Sequence, residues 1–327
     1  MHDRHVLLGE SGSDDDFLFD CFSKDFCGAE IATVRFDSRG VFGNKRDECI
    51  LSIRDPVERE RKFYELCIDQ SIRASVTPKT QLNDVFSVYN YCVTRFNGAI
   101  IILVGHSEGC INISRMISEY ELRKVRALYL SPSMVSPRDL IEWQRVRRFT
   151  QWIRELKPNG GDIHVYDVRR EFGFSKLSSI CTIESALPHG GVWTSESLEK
   201  RFQSKKADFD REVAWISGRD DASPWPGPVT IASFSWWKQW HTDTTPVIEH
   251  LKSVEGIISC VFGEFDTQID YDEQIACINS YREMLKVDIF VDVIKDVGHS
   301  FGYHGVSGPP EHFSRRIITE KLIELLV

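Results

Sequence analysis

The stretch Ala99-Ile-Ile-Ile-Leu-Val-Gly-His-Ser-Glu-Gly109 decides the fold of this chain. Its five consecutive branched aliphatic residues are typical of a strand that is buried on both faces of a parallel sheet. Residues 110–120, which follow directly, are compatible with a helix. Gly105 and Gly109 flank Ser107, as a sharp strand-to-helix turn requires, because larger side chains would collide there. The stretch therefore predicts a nucleophile elbow that lifts the Ser107 hydroxyl above the edge of a sheet.

An acid and a histidine follow later in the chain, each placed after a predicted strand. Residues 256–262 predict a buried strand that ends shortly before Asp266, and residues 287–294 predict a second strand that leads to His299. A serine hydroxyl is a weak nucleophile near neutral pH and needs an adjacent base. We expect His299 to take the serine proton, and Asp266 to fix the imidazole tautomer and stabilise the imidazolium.

Other residues offer similar chemistry and stay open as alternatives. His304 could serve as the base, and Asp270 or Asp272 as the acid, although these two aspartates better suit the first turn of a helix. Cys110 could act as a thiol nucleophile. A cysteine at that position is more often a small hydrophobic residue packed beneath the turn.

The composition excludes several classes of partner. The chain has 327 residues, a net charge of −9 and nine cysteines. An acidic chain is a poor match for nucleic acid or an anionic membrane surface. The sequence contains no run of 18 apolar residues, so it predicts no membrane-spanning helix. An odd number of cysteines without C-x-x-C spacing favours reduced thiols and a cytoplasmic location. The histidines show no metal-binding spacing, and the acidic residues 14–16 suit a first helical turn, so we expect no metal and no cofactor.

Strand and helix patterns alternate through the first part of the chain and again near its end. This alternation predicts an α/β fold with a mainly parallel sheet and helices on both faces. The elements expected outside the stretches above are strands over 5–9, 31–37 and 125–130, and helices over 11–27, 55–74 and 82–96.

The alternation stops between residues 134 and 253. This span contains charged helical stretches over 140–156 and 195–216, glycine- and proline-rich breaks, and all eight tryptophans: Trp143, Trp152, Trp193, Trp215, Trp225, Trp236, Trp237 and Trp240. We interpret residues 134–253 as a mostly helical cap inserted into a core of residues 1–133 and 254–327. Such a cap would lie over the carboxyl ends of the strands, where open α/β sheets bind ligands. We expect Trp236 and Trp237 to line the substrate pocket.

Four motifs and a shorter match connect the chain with a known superfamily. They are Glu10-Ser-Gly-Ser-Asp-Asp-Asp16, Asp37-Ser-Arg-Gly-Val-Phe-Gly43, Gly105-His-Ser-Glu-Gly109, Gly263-Glu-Phe-Asp-Thr-Gln-Ile269, and Ser235-Trp-Trp237 followed by Asp243. With these motifs the chain resembles the α/β-hydrolases, and more narrowly the serine esterases related to dienelactone hydrolases and prolyl oligopeptidases. The resemblance covers about residues 5–133 and 254–327.

The resemblance implies an α/β-hydrolase fold with a catalytic triad of Ser107, Asp266 and His299. It also implies an oxyanion hole formed by the backbone N–H groups of Glu108 and Ser11. The expected function is hydrolysis of a small-molecule carboxylic ester or thioester through an acyl-enzyme on Ser107. An acyltransferase or cyclase of small-molecule biosynthesis would use the same triad, and a non-catalytic ligand-binding protein would share the fold. These two functions stay open as alternatives.

Overall fold

A computed structural model of the protein describes residues 18–36, 38–41, 53, 55–155, 157, 159–164, 191–221, 233–302 and 310–327. The strands in these ranges are β1 (Ile102–His106), β2 (Lys124–Leu130), β3 (Ile163–His164), β4 (Val192–Trp193), β5 (Glu255–Gly263) and β6 (Lys286–Ile294). Four of them form a sheet in the order β1-β2-β5-β6, and every pairing in it is parallel. The two short strands β3 and β4 form a separate antiparallel pair.

The described helices surround this sheet. They are α1 (Leu18–Gly28), α2 (Pro56–Leu66), α3 (Gln70–Ala74), α4 (Pro78–Arg95), α5 (Glu108–Glu119), α6 (Pro137–Glu142), α7 (Arg148–Glu155), α8 (Ser195–Ser217), α9 (Phe234–Thr242), α10 (Tyr271–Tyr281) and α11 (His312–Glu324). A π-helical turn over Trp143–Arg147 joins α6 to α7, and short 3₁₀ helices cover Val247–Leu251 and Arg282–Met284. None of the helices in these ranges combines the length and the apolar composition that a bilayer crossing needs.

Both faces of the sheet are covered by helices. Along β2, Val125, Ala127 and Tyr129 belong to a core layer that includes residues of α4, α5 and α10. Leu128 and Leu130 belong to a second layer that includes residues of α1 and α11. Side chains of a strand point alternately to its two faces, so a strand buried on both faces is apolar at nearly every position. The predicted fold class, a mainly parallel α/β sheet with helices on both faces, is confirmed.

Most predicted elements differ from the observed ones only at their ends. The strands expected over 125–130, 256–262 and 287–294 are β2, β5 and β6, and the strand expected from Ala99 begins at Ile102. The helix expected over 82–96 begins four residues earlier, at Pro78. The reason is a capping box, in which the side chains of Thr77 and Thr80 each accept the other residue's backbone N–H.

Two predictions before residue 99 are wrong. Residues 31–36 form neither strand nor helix. Residues 31–35 and 99–104 line a cavity of about 440 Å³ together, and residues 31–35 form no strand pairing with β1. The helix expected over 55–74 is interrupted between α2 and α3, because Ile68 bridges to Val41 and the Asp69 carboxylate caps a new helix. The strand expected over 5–9 and the start of the helix expected over 11–27 lie outside the described residues.

The described part of residues 134–253 is mostly helical. The stretch expected to be helical over 140–156 is α6, the π-helical turn and α7, and the stretch over 195–216 is α8. A small core forms here from Trp143, Phe149, Trp152 and Trp193 together with neighbouring aliphatic residues. The rings of Trp143 and Trp152 meet edge to face with centroids 5.8 Å apart. The division of the chain into core and cap stays a prediction.

Candidate active site

Ser107 lies on the turn between β1 and α5 in a strained backbone conformation. Its φ of 53° and ψ of −119° are unfavourable for a residue with a side chain, and such strain costs about 1–3 kcal/mol. Hydrogen bonds on both sides hold the turn: the Ser107 N–H donates to the Leu130 carbonyl at 2.9 Å, and the Cys110 N–H donates to the Ser107 carbonyl at 3.0 Å. The neighbouring strand and the helix therefore maintain the strain at the serine.

Gly105 makes this turn possible by its lack of a side chain. A Cβ atom at Gly105 would lie 2.9 Å from the Gly109 carbonyl carbon and from the Cys110 nitrogen, closer than real contacts allow. The turn is thus the strand–turn–helix arrangement that the sequence predicts. Together with the parallel sheet, this arrangement is that of the α/β-hydrolase fold.

Cys110 is packed beneath the turn and is unsuited to nucleophilic attack. Its side chain is fully buried, and its thiol donates to the Leu130 carbonyl at 3.7 Å. Burial raises the pKa of this thiol to about 12. Because the reactive form of a cysteine is the thiolate, Cys110 is a core residue here.

Asp266 and His299 form a buried hydrogen-bonded pair. His299 Nδ1 donates to Asp266 Oδ2 at 2.8 Å, and both residues are almost inaccessible to solvent. The other carboxylate oxygen, Asp266 Oδ1, accepts the backbone N–H groups of Gln268 at 2.8 Å and Ile269 at 3.0 Å. This arrangement places the proton of a neutral His299 on Nδ1, so that Nε2 is the nitrogen that can take up a proton.

His106, the residue before the serine, connects the elbow to the histidine loop. Its Nε2 donates to the His299 carbonyl at 2.9 Å, and the Ser131 hydroxyl donates to the same carbonyl at 3.2 Å. The rings of His106 and His299 lie 4.7 Å apart. The sequence reasoning did not assign a role to His106. A polar residue at the end of an otherwise apolar strand was the signal available for it.

Gly263 allows the end of β5 to approach the histidine loop closely. A Cβ atom at this position would lie 2.4 Å from the Gly298 carbonyl oxygen and 2.6 Å from that of Val297. The backbone just before His299 therefore passes so close to position 263 that only a glycine fits there.

The alternative acids serve other purposes. Asp270 is the N-cap of α10: its Oδ1 accepts the Asp272 N–H at 3.2 Å, and its Oδ2 accepts from the Gln151 side chain at 2.7 Å. Asp272 lies in the first turn of α10. The structure thus places Asp266, rather than either alternative, against His299. His304, the alternative base, and Ser11, the second expected oxyanion donor, lie outside the described residues.

Glu108 opens α5 directly after the serine. The first N–H groups of a helix have no carbonyl partner within the helix and carry a partial positive charge, which suits an oxyanion. The Glu108 side chain points to other elements: its Oε1 accepts the Trp236 indole N–H at 2.8 Å and the Gln81 amide N–H at 3.3 Å. A residue of α9 therefore contacts the side chain of an expected oxyanion donor.

Trp236 and Trp237 lie side by side on α9, and both are half-buried. Their rings meet edge to face with centroids 4.8 Å apart. The hydrogen bond to Glu108 brings Trp236 next to the elbow, whereas the Trp237 ring neighbours His241 at 6.0 Å. That either residue lines a substrate pocket stays a prediction. Within the described ranges, no group of three or more His, Cys, Asp or Glu side chains is arranged to hold a metal ion.

Comparison with known proteins finds similarity to solved structures and none to families or curated sequences. No family model matches the chain, and the search of curated proteins finds no match. Among solved structures the chain is similar to Est1E from Butyrivibrio proteoclasticus with ferulic acid bound, at 13% identity over 77% of this chain and 70% of that chain, with a TM-score of 0.38. It is also similar to a thermostable carboxyl esterase from Bacillus coagulans in complex with glycerol, at 12% identity over 77% and 73% of the two chains and a TM-score of 0.38. A third similar structure is a monoacylglycerol lipase from Paleococcus ferrophilus, at 12% identity over 78% and 77% and a TM-score of 0.34. Values this low add no argument about activity, which rests on the residues of the site.

Proposed function

We propose that this protein is a serine hydrolase that cleaves a small-molecule carboxylic ester or thioester through an acyl-enzyme on Ser107. One observation carries the proposal. The strained serine turn is joined through the His106–His299 hydrogen bond to a buried histidine that also donates to Asp266. A serine, a base and an acid that orients the base are the three parts of a nucleophilic triad.

Acylation begins when the Ser107 oxygen attacks the carbonyl carbon of the ester. The serine proton moves to His299 Nε2, and Asp266 stabilises the imidazolium that forms. The carbonyl oxygen becomes an oxyanion, for which we infer two donors, the backbone N–H groups of Glu108 and Ser11. When the intermediate collapses, the bond to the leaving oxygen or sulfur breaks, and that atom takes the proton from His299.

Deacylation repeats these steps with water. His299 removes a proton from the water as its oxygen attacks the acyl carbon, and the second intermediate expels the Ser107 oxygen. That oxygen takes back the proton from His299 Nε2, so the free carboxylic acid leaves and the serine is restored. Loss of one donor from an oxyanion hole typically costs about 10²–10³ in rate.

The direct test is labelling of the purified protein with a fluorophosphonate probe, which reacts with activated serines. We expect the wild type to be labelled, and Ser107→Ala to be neither labelled nor active on p-nitrophenyl esters. Ser118→Ala is a matched control, because Ser118 is an exposed serine on the same helix, α5. The control should keep the labelling rate and the activity of the wild type.

Parallel series of p-nitrophenyl esters and the corresponding thioesters, with acyl chains of increasing length, then define the substrate class. A wild type that is folded but resists labelling and leaves both series intact would contradict the proposal. Labelling that persists in Ser107→Ala would assign the nucleophile to another residue.

A further inference from the structure

A row of hydrogen bonds connects the predicted cap to the loop that carries Asp266. The π-helical turn and α7 supply the donors, and residues 267–273 supply the acceptors. The pairs are Gln144 Nε2 to the Gln268 carbonyl at 2.8 Å, Arg148 Nη1 to the Thr267 carbonyl at 2.6 Å, Gln151 Nε2 to Asp270 Oδ2 at 2.7 Å, and Arg147 to Glu273 at 2.9 Å. Side chains from the cap therefore hold the backbone carbonyls of Thr267 and Gln268, the two residues that follow Asp266.

Arg148 differs from the other donors because it is a buried cation. Arg148 is only 7% exposed, and its guanidinium lies 5.8 Å from the ring centroids of both Trp143 and Trp152. Burial lowers the pKa of Arg148 to about 10, and the nearby charge of Asp266 opposes that change. Keeping a charge in such surroundings is unfavourable unless a partner compensates it. The compensating groups are the Thr267 carbonyl, the two aromatic rings and the Asp266 carboxylate.

We propose that Arg148 is a positioning residue for the triad, holding the acid loop by its bond to Thr267 and setting the pH range in which His299 is an active base. The inference rests on the proposed function. Among the described residues, Asp266 from the acid loop and His106 from the end of β1 contact His299, and the charge of Arg148 acts on it through its neighbour Asp266. The negative charge of Asp266 favours the protonated imidazole, and the positive charge of Arg148 opposes that effect.

Removal of the Arg148 charge therefore has a predictable sign. Without it, the full charge of Asp266 acts on His299, so the imidazole holds its proton to higher pH. The neutral imidazole is the form that takes the serine proton, and the activity of a charge-free variant should begin at a higher pH. A role limited to packing would instead reduce the rate by the same factor at every pH.

The experiment measures the second-order rate of fluorophosphonate labelling between pH 5 and 9, which requires no knowledge of the substrate. The charge-removing variants are Arg148→Gln, which retains a donor for Thr267, and Arg148→Met, which suits the apolar surroundings if the first variant fails to fold. Arg148→Lys retains the charge. Arg147→Gln is the matched control, since Arg147 also links the cap to the core, but through Glu273.

We expect the midpoint of the pH profile to rise by about 0.5–1 unit in Arg148→Gln and Arg148→Met, because a nearby charge of the same sign as the imidazolium is lost. The rate should then fall by about 3–10-fold at pH 6 and much less at pH 9. Arg148→Lys and Arg147→Gln should keep the wild-type midpoint. A loss that is equal at every pH, or an equal shift in Arg147→Gln, would overturn the inference. A wild type that resists labelling would instead contradict the proposed function, so the two failures are distinguishable.

Discussion

Replacement of Gly263 by alanine tests whether the close approach of two loops controls the reaction. The added Cβ would lie 2.4 Å from the Gly298 carbonyl oxygen, whereas ordinary contacts begin near 3.4 Å, so one backbone must move by about 1 Å. His299 follows Gly298 directly and shares the displacement. A misplacement of about 1 Å can cost about 10²-fold in rate, because the reacting atoms lose their alignment. We therefore expect labelling of Ser107 to slow by about 10²-fold, with a destabilisation of about 1–3 kcal/mol from overpacking.

The assay is the rate of fluorophosphonate labelling, with thermal unfolding to show that the variant is folded. Gly218→Ala is the matched control, because its Cβ would meet nothing closer than the Ala214 carbonyl oxygen at 3.6 Å. The control should react at the wild-type rate. If Gly263→Ala is folded and labels as fast as the wild type, the histidine loop does not depend on this contact, and the reasoning is refuted.

Further predictions concern the acid, the pH profile and the cap. Asp266→Asn should lower kcat for p-nitrophenyl acetate by about 10⁴-fold, because the His299 tautomer is no longer fixed, while Asp270→Asn should lose less than tenfold. For the wild type, kcat/KM should rise with pH, since the neutral imidazole is the base; a flat profile from pH 5 to 8 would exclude a histidine. Trp236→Ala should change the relative rates on bulky and small acyl esters more than the rate on acetate, and Trp236→Phe, which loses the hydrogen bond to Glu108 and part of the ring but keeps an aromatic side chain, should change them less. An equal loss on all acyl chain lengths, with a large fall in melting temperature, would place Trp236 in the core of the cap.

Local sequence patterns sufficed for the serine turn and for the strands that frame it. The run of aliphatic residues before Gly105 fixes a buried strand, and steric limits fix the turn after it, so both follow from neighbouring residues alone. The choice of Asp266 over Asp270 as the proposed acid also follows from a local pattern. Asp270 is the N-cap of the helix that follows the Asp266 loop. The carboxylate of an N-cap residue accepts backbone N–H groups of its helix, so it is a poor candidate for orienting a histidine.

Contacts between distant parts of the chain were beyond local patterns. His106 and His299 are 193 residues apart, and only the parallel register of the sheet brings them together. Arg148 stands 118 positions before Asp266, inside a stretch that the sequence predicts only as a charged helix. The prediction of a strand over 31–37 was wrong because strand pairing also depends on distant parts of the chain. An apolar run predicts the potential to pair, whereas pairing depends on whether a neighbouring edge is within hydrogen-bonding distance.

Side chains of the predicted cap reach the edge of the sheet that carries the proposed catalytic residues. Ser107, Asp266 and His299 follow the carboxyl ends of β1, β5 and β6, which the parallel register aligns along one edge. Side chains from the predicted cap also contact residues of this edge, among them Arg148 at the acid loop and Trp236 at Glu108. Arg148 binds the loop that carries the proposed acid, and Trp236 binds the side chain of Glu108, whose backbone N–H is a proposed oxyanion donor. A change in the cap that alters substrate preference should therefore also alter the pH profile or the rate of acylation, so that selectivity and catalysis in this protein are physically coupled.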